Sequence, residues 1–460
     1  MANTYGRTKI TYTAEVIDDS NVAAALTSAT ATHAANVSQI NTLYEYYCGK
    51  QAIQQRVKEV RPEIMNIICE NHAYEIVTFK LGYQMGDTGA PTQYTAVDAE
   101  ATDRVVTLNR LMEYASKDTF DSGIFEWGLI AGTAYGIAVG VETDDPEEAA
   151  FKIAALDPRN AFVIYATDLF NTPLAGVYVT TVLIDEQKTT VYTVYTKEKI
   201  YQIANSTILS SEPNPIGLIP IIEFPANNAR LGCYEVVMDL LDSLNNLSSN
   251  RMDSVEQFVQ SLLVLYNAEL DEDVTANSIR QAGMILLRSV NENKADVKVI
   301  SEVLNQSETQ TLKDDLYDTI LTICSIPNRN GGTSTSDNGL AVVYRDGWQA
   351  AETAAKAYET MYLKADREFR KVLFRILNNL SLVTLTVDEV KCNFTRHPQQ
   401  NITAKSQVLI AMLNNDKIHP KDAYEASGMF VDTEKAYMNG MEWFESHQTE
   451  TEVTTDATEV

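Results

Sequence analysis

Two hydrophobic periods alternate along the chain and divide it into segments. Between residues 41 and 79 apolar positions recur at helical spacing: Leu43, Tyr46 and Tyr47, then Ile64, Ile67 and Ile68, with Pro62 where a first helical turn tolerates it. After the turn cluster GYQMGDTG (82–89), residues 101–117 repeat that spacing through Val105, Val106, Leu108, Leu111, Met112 and Tyr114. A helix over 118–131 and a strand over 135–141 follow. From 151 to 204 the period changes. FKIAALDP, AFVIYAT, AGVYVTTVLI, TTVYTVYT and KIYQIA are short β-branched and aromatic runs between turn residues, which predicts an antiparallel meander. Pro213, Pro215, Pro220 and Pro225 then fall within thirteen residues. Each fixes φ and removes a donor, so neither a helix nor a central strand is expected there.

Past Gly232 the helical period is continuous to Tyr266. Val237, Leu241, Leu244, Leu247, Arg251, Val255, Phe258 and Leu262 lie on one side. Asp239, Asp242, Asn246, Ser249, Asp253, Glu256 and Gln260 lie on the other. Such a helix would be about 50 Å long. Two short strands, MILLRS (284–289) and DVKVIS (296–301), read as a hairpin, and 307–323 as a second helix. IPNRNGGTSTSDNG (326–339) has almost no apolar mass and reads as a flexible loop. Residues 340–380 form a long helical pattern with Gly347 as a kink site. Residues 381–395 have strand composition, and 402–445 predict three short helices. The Ala-, Thr- and Ser-rich first thirty-five residues predict a partly disordered or helical arm, and the tail HQTETEVTTDATEV predicts disorder. The fold class is therefore α+β.

Composition narrows function more than fold. A net charge of −27 over 460 residues repels phosphates, which argues against a DNA-wrapping or groove-reading protein but not against a surface that DNA slides past. Five scattered cysteines without a C-x-x-C pair read as reduced thiols, and MANTYGRTKI has no apolar core of a secretory signal. Residues 124–141 are membrane-like in length, with Gly128, Gly132, Gly136 and Gly140 every fourth position. Glu126 lies inside that run. A helix and a strand packed closely through those glycines is the favoured reading. No histidine pair has metal-ligand spacing, the GGTSTSDNG stretch lacks the G-K-[ST] of a phosphate loop, and Ser334 and Ser336 are not in a G-x-S-x-G elbow. Neither a catalytic constellation nor a cofactor or metal site is expected.

Four stretches resemble a known family. YYCGKQAIQQR (46–56), GTAYGIAVGVETDDPEEAAFKIAALDPRNAFVIY (132–165), IPIIEFPANNARLGCYEVVMDLLDSLNNLSSNRMDSVEQF (219–258) and TSDNGLAVVYR (335–345) follow one another as in portal proteins of long-tailed bacteriophages. In the last stretch Asn338 and Val342 depart from the family pattern. The resemblance covers about residues 41–445 and implies a portal fold. After an arm (1–40) would come a wing (41–232), a stem helix (233–267), a clip (268–303) and a returning stem helix (304–325). A tunnel loop (326–339), a kinked helix with a wing strand (340–400), a crown (401–446) and a tail (447–460) would complete the chain.

The same resemblance implies a non-enzymatic, dodecameric ring at the portal vertex of the virion, assembled in the host cytoplasm, with double-stranded DNA passing through it. Its implied partners are further copies of the chain, the terminase large subunit, a head-completion adaptor, and the major capsid and scaffolding proteins, with no membrane. The implied site residues are Asn328, Arg329, Asn330, Thr333, Ser334, Thr335 and Ser336 at the DNA tunnel. Asp239, Asp242, Asp253 and Glu256 are candidates for the channel-facing stem. Arg288, Asn291, Asn293 and Lys294 are the candidate adaptor and terminase contacts. An unrecognised enzyme and a membrane-associated protein are the alternatives.

Overall fold

A computed structural model of the chain describes residues 6–59, 61–86, 89–141, 149–184, 187–259, 262–266, 268–269, 288–289, 296–300, 306–328, 347–394, 402–430 and 433–455. It divides into two compact units. The first comprises Met1–Gly49, His72–Val237 and Leu321–Val460; the second comprises Lys50–Asn71 and Met238–Ile320.

The first unit is built on a six-stranded sheet in the order β1-β5-β6-β7-β8-β9: β1 Thr11–Tyr12, β5 Ala161–Ala166, β6 Pro173–Ile184, β7 Gln187–Tyr195, β8 Lys199–Ala204 and β9 Thr207–Pro213. Only β1 runs parallel to its neighbour. Four of the five runs predicted as strands are β5 to β8 of this meander, the first, Phe151–Leu156, pairs in another sheet, and β9 adds an edge that ends at Pro213, where a missing N–H costs nothing. Helix α1 (Val22–Tyr47) packs on this sheet through Val22, Ala25, Leu26 and Ala29, which join Phe162, Val177 and Ile203 in the core. The expected arm is therefore a core helix from residue 22. Its buried stripe is mostly alanine and so reads weakly as apolar.

Three further elements, α2 (His72–Met85), α3 (Thr102–Tyr114) and α4 (Lys117–Ala131), lead into a second sheet of order β10-β3-β4: β3 Thr133–Gly140, β4 Phe151–Leu156 and β10 Ile221–Pro225. Proline brackets β10, which lies at a sheet edge as the proline cluster predicts. An antiparallel pair far apart in sequence joins β2 (Thr92–Ala96) to β15 (Val390–Phe394). The long helix α7 (Trp348–Asn379) buries Tyr358, Tyr362, Phe369 and Leu373 against these layers. Gly347, at φ 84°, is its N-cap and not a kink inside it; residues 340–346 lie outside the described residues. Helices α8 (Ile402–Leu413), α9 (Pro420–Ser427) and α10 (Thr433–Thr455) follow, and α10 extends to residue 455, into the stretch 447–460 expected to be disordered, of which 456–460 lie outside the described residues.

A polar seam crosses this core. Lys117 Nζ donates to Asp121 Oδ1 at 2.5 Å, Thr92 Oγ1 and Tyr362 Oη, and Tyr362 donates to Asp121. Tyr94 and Arg370 both donate to Asp366. Buried charge is tolerable here because each head group is paired. Three of the four glycines in the series are spent on close packing. A Cβ at Gly128 would fall 1.7 Å from the Tyr358 hydroxyl, at Gly132 2.1 Å from the Arg230 carbonyl oxygen, and at Gly136 2.7 Å from the Phe120 ring. Three neighbours in three directions is packing inside a protein, and among the described residues no helix is long and apolar enough to cross a membrane.

The second unit holds α5 (Met238–Val259) and α6 (Gln306–Ile323). At 22 residues α5 is shorter than the periodicity suggests, about 33 Å. Its expected last turns are β11 (Leu262–Tyr266), a β-rich run of five that pairs antiparallel with β14 (Asp296–Ile300). β12 (Ala268–Glu269) pairs with β13 (Arg288–Ser289). The described residues of the two predicted strands, 288–289 and 296–300, therefore each pair with an earlier strand.

Candidate functional site

Residues 50–71 show why α5 matters. Burial alternates along this segment: Ile64 is buried and Asn66, Ile68 and Glu70 are half-buried, while Met65 and Ile67 are exposed. That is the period of an extended chain, and it corrects the helical reading of Ile64, Ile67 and Ile68. An extended chain beside a helix leaves its N–H groups unpaired, and α5 supplies the acceptors. Glu70 N donates to Asn245 Oδ1 at 2.9 Å, Ile68 N to Ser249 Oγ at 3.0 Å and Asn66 N to Asp253 Oδ1 at 2.6 Å.

The geometry is commensurate. Two residues of extended chain advance about 6.6 Å and four residues of helix about 6.0 Å, so alternate amides meet every fourth side chain. Asn245, Ser249 and Asp253 are 2%, 0% and 3% exposed. The strap runs antiparallel to α5 and buries a polar stripe where periodicity alone predicts a solvated face.

Asp253 is the anchor. Its Oδ2 accepts from Arg56 at 2.8 Å and from Lys58 at 3.1 Å, and its Oδ1 also accepts from Asn66 Nδ2. Arg56 ties down the Asn66 carbonyl as well, at 2.6 Å. Burial works to raise the Asp253 pKa. The hydrogen bonds from Asn66, Lys58 and Arg56 outweigh it and hold the carboxyl down at about 2. A carboxyl depressed on folding stabilises the fold above its unfolded pKa and loses that contribution as pH falls through the folded value. The strap should therefore loosen between about pH 4 and pH 2, with a loss of roughly 2–3 kcal/mol. Amide exchange of residues 66–70 measured across that window checks this; protection independent of pH there would contradict it.

The strap also reaches α6. Glu70 Oε1 accepts from Ser248 Oγ and from Lys313 Nζ, both at 2.6 Å, and Arg251 of α5 donates to Gln310 of α6. One extended segment thus fastens both helices.

In the first unit, the segment that leads toward α5 is held as firmly. Glu235 accepts from Arg7 Nη2 at 2.5 Å and from Gly232 N at 2.9 Å. Glu223 accepts from Arg230, Tyr165 and Thr133. Burial alone would raise the Glu223 pKa, but these donors, Arg230 foremost, lower it. Cys233 N donates to Leu129 O, and Ala226 N to Gly132 O. The polar turn 227–230 is therefore fastened on both sides to the end of α4.

A family model described as "Phage portal protein, SPP1 Gp6-like" matches residues 28–443. The chain belongs to the phage portal protein family. The portal protein of Bacillus phage SPP1 is 28% identical over 171 residues, which is 33% of this chain and 33% of that protein. The aligned part thus spans a third of that relative's length. Among solved structures, "Neck of native GTA particle computed with C12 symmetry" is 13% identical, covering 78% of this chain and 91% of that one, with a TM-score of 0.44. "Neck of empty GTA particle computed with C6 symmetry" is 11% identical, covering 80% and 96%, with a TM-score of 0.46.

The residues expected to act in a portal are placed unevenly. Asp239 is exposed and Asp242 half-buried on α5. Asp253 departs from the expected channel-facing set, being turned into its own chain, and half-buried Glu256 accepts from Asn66 Nδ2 at 2.9 Å. Asn328 is half-buried, while Arg329, Asn330, Thr333, Ser334, Thr335 and Ser336 lie outside the described residues. Arg288 stands in β13, and Asn291, Asn293 and Lys294 lie outside the described residues. Sequence reasoning missed Arg56, Lys58, Asn66 and Asn245. The available signal was the small polar series Asn245, Ser249, Asp253 at four-residue spacing beside an alternating segment. Among the described residues no group of three or more His, Cys, Asp or Glu side chains could hold a metal ion.

Proposed function

We propose that copies of this chain form a portal ring, about twelve in number, at one vertex of a phage capsid. Double-stranded DNA passes through the ring during packaging and ejection. The observation that carries this reading is the portal-family match across residues 28–443. Charge supports it, because a wall with a net charge of −27 per chain offers phosphates no deep wells. The sequence holds no catalytic motif, and in this reading the docked terminase large subunit supplies the energy for packaging. A head-completion adaptor takes that place afterwards.

Within the ring, α5 and α6 act as stem helices and the strap keeps them in register. Asp239 and Asp242 face the channel, and Asp253 positions the strap. Residues 268–303, with Arg288, Asn291, Asn293 and Lys294, form the clip that meets terminase and adaptor. Residues 326–339 form the tunnel loop. Major capsid and scaffolding proteins surround the assembled ring in the virion.

Arg329 is the only cation of that loop, so the copies would set a ring of positive charge against passing phosphates. Arg329→Ala should leave assembly intact and alter DNA packaging; packaging at the wild-type level would retire that role. Light scattering tests the wider proposal. A particle of about twelve chains of 51.1 kDa is expected, and a monomer or dimer at every salt concentration would contradict it.

A further inference from the structure

We propose that an aromatic pair on α10, Trp443 and Phe444, docks on α8 of a second copy of this chain, a plug-and-seat contact that rests on the ring proposed above. Helix α9 stands between α8 and α10. Lys405 Nζ of α8 donates to the Gly428 carbonyl at the end of α9, at 2.6 Å. On the other side Tyr424 meets Tyr437 of α10, with ring centroids 5.9 Å apart, and Lys421 pairs with Glu434. Gly440 lies against the Tyr424 hydroxyl, where a Cβ would fall 2.9 Å away. Among the described residues α8 and α10 share no packed face, and no other element packs closely on either.

The plug arises from a mismatch of lengths. Helix α9 has 8 residues, about 12 Å, while α10 has 23, about 35 Å. Trp443 and Phe444 follow Gly440 by three and four residues, so they continue the side of α10 that faces α9. Yet α9 does not cover them: Trp443 is 62% and Phe444 51% exposed. The pair leaves roughly 250 Å² of aromatic surface in water. That is well below the ~800 Å² each partner buries in a stable pair, so the contact adds to a larger ring interface and does not make one alone. The seat is α8, where Ile410 and Leu413 are exposed three residues apart on one side of the helix. Charge favours this match. Glu442 and Glu445 flank the plug, whereas α8 has one cation, Lys405, and no acidic residue. In a chain of net charge −27, an apolar helix free of carboxylates is where an acidic plug meets least repulsion. A head-to-tail ring contact needs two different patches on each chain, one offered and one received. A second copy supplies one seat for every plug.

Photo-crosslinking of the assembled full-length chain tests the contact, with Phe444→p-benzoylphenylalanine as the probe at an exposed site. Irradiation should give bands of two or more chains on a denaturing gel, with fragments that join position 444 to residues 402–413. Links within one chain, links to other parts of the second copy, or no link in an intact ring overturn the proposal. Ile410→Glu should cut the yield about tenfold by setting a carboxylate against Glu442 and Glu445. Val408→Glu should leave it unchanged, since Val408 is also exposed but lies about 140–160° away from Leu413 and Ile410 around α8. Equal yields from these two variants count against the seat. Light scattering on the same samples keeps two failures apart. Chains that never assemble remove the ring and this contact with it, while an assembled ring without the link removes the contact alone.

Discussion

Replacing Asp253 by alanine is expected to release residues 50–71 from α5 and to destabilise the second unit by about 2–4 kcal/mol. Four donors converge on this carboxylate: the amide and side chain of Asn66, Arg56 and Lys58. Removing one partner of a buried charge cluster leaves the others uncompensated, which typically costs about 3–5 kcal/mol. The figure here is set lower because the Arg56 and Lys58 side chains are 12% and 24% exposed and can recover some hydration. Asp253→Asn should fall between, since an amide oxygen still accepts from Asn66 N but offers no charge to the cations. Amide exchange reads the effect directly. Protection at residues 66, 68 and 70 should collapse together in Asp253→Ala, because the three bonds form one ladder. A loss confined to residue 66, or a cost under about 1 kcal/mol, would show that the ladder is not cooperative.

Gly132→Ala should cost the first unit a comparable amount, about 3–4 kcal/mol, by a different route. Gly132 ends α4 at φ 75°, a conformation in which a side chain is strained, and its new Cβ would lie 2.1 Å from the Arg230 carbonyl oxygen. That oxygen belongs to the joint held by the Glu223–Arg230 pair and by the Arg7 N–H, so it cannot give way freely. Gly82→Ala is the matched control. It lies within α2 with open space where the Cβ would go, so it should stabilise by about 0.5–1 kcal/mol through helix propensity. Melting temperatures that move in opposite directions for the two changes support the packing account. Two shifts of the same sign would contradict it.

Much of the first unit was legible because its signals are local. The strands from 151 to 204 announce themselves through β-branched and aromatic runs, and the prolines mark two sheet edges without ambiguity. What sequence could not show was which segment covers which. Helix α1 hides its core face behind alanines at positions 25 and 29, whose burial depends on the sheet they meet. In the second unit the helix over 307–323 was legible, and two other readings differ from the structure for one physical reason. The polar stripe of α5 reads as a solvated or channel-facing surface, yet Asn245, Ser249 and Asp253 satisfy the backbone of a segment 175 to 187 residues away in sequence. A polar side chain that bonds to water and one that bonds to a distant amide look the same in one dimension. Leu262–Tyr266 failed similarly: its apolar run continues the helical period by chance, and the partner strand at Asp296–Ile300 decides its conformation.

The central proposal, supported by the family match, is that this chain closes into a ring whose α5 and α6 helices border the hole. Electron cryomicroscopy of the purified full-length protein tests it most directly. The account predicts a closed ring of about twelve subunits with Met238–Val259 and Gln306–Ile323 surrounding the axis and Asp239 nearer the hole than Asp253. Isolated monomers or dimers, or a ring in which these helices lie at the outer rim, would contradict it.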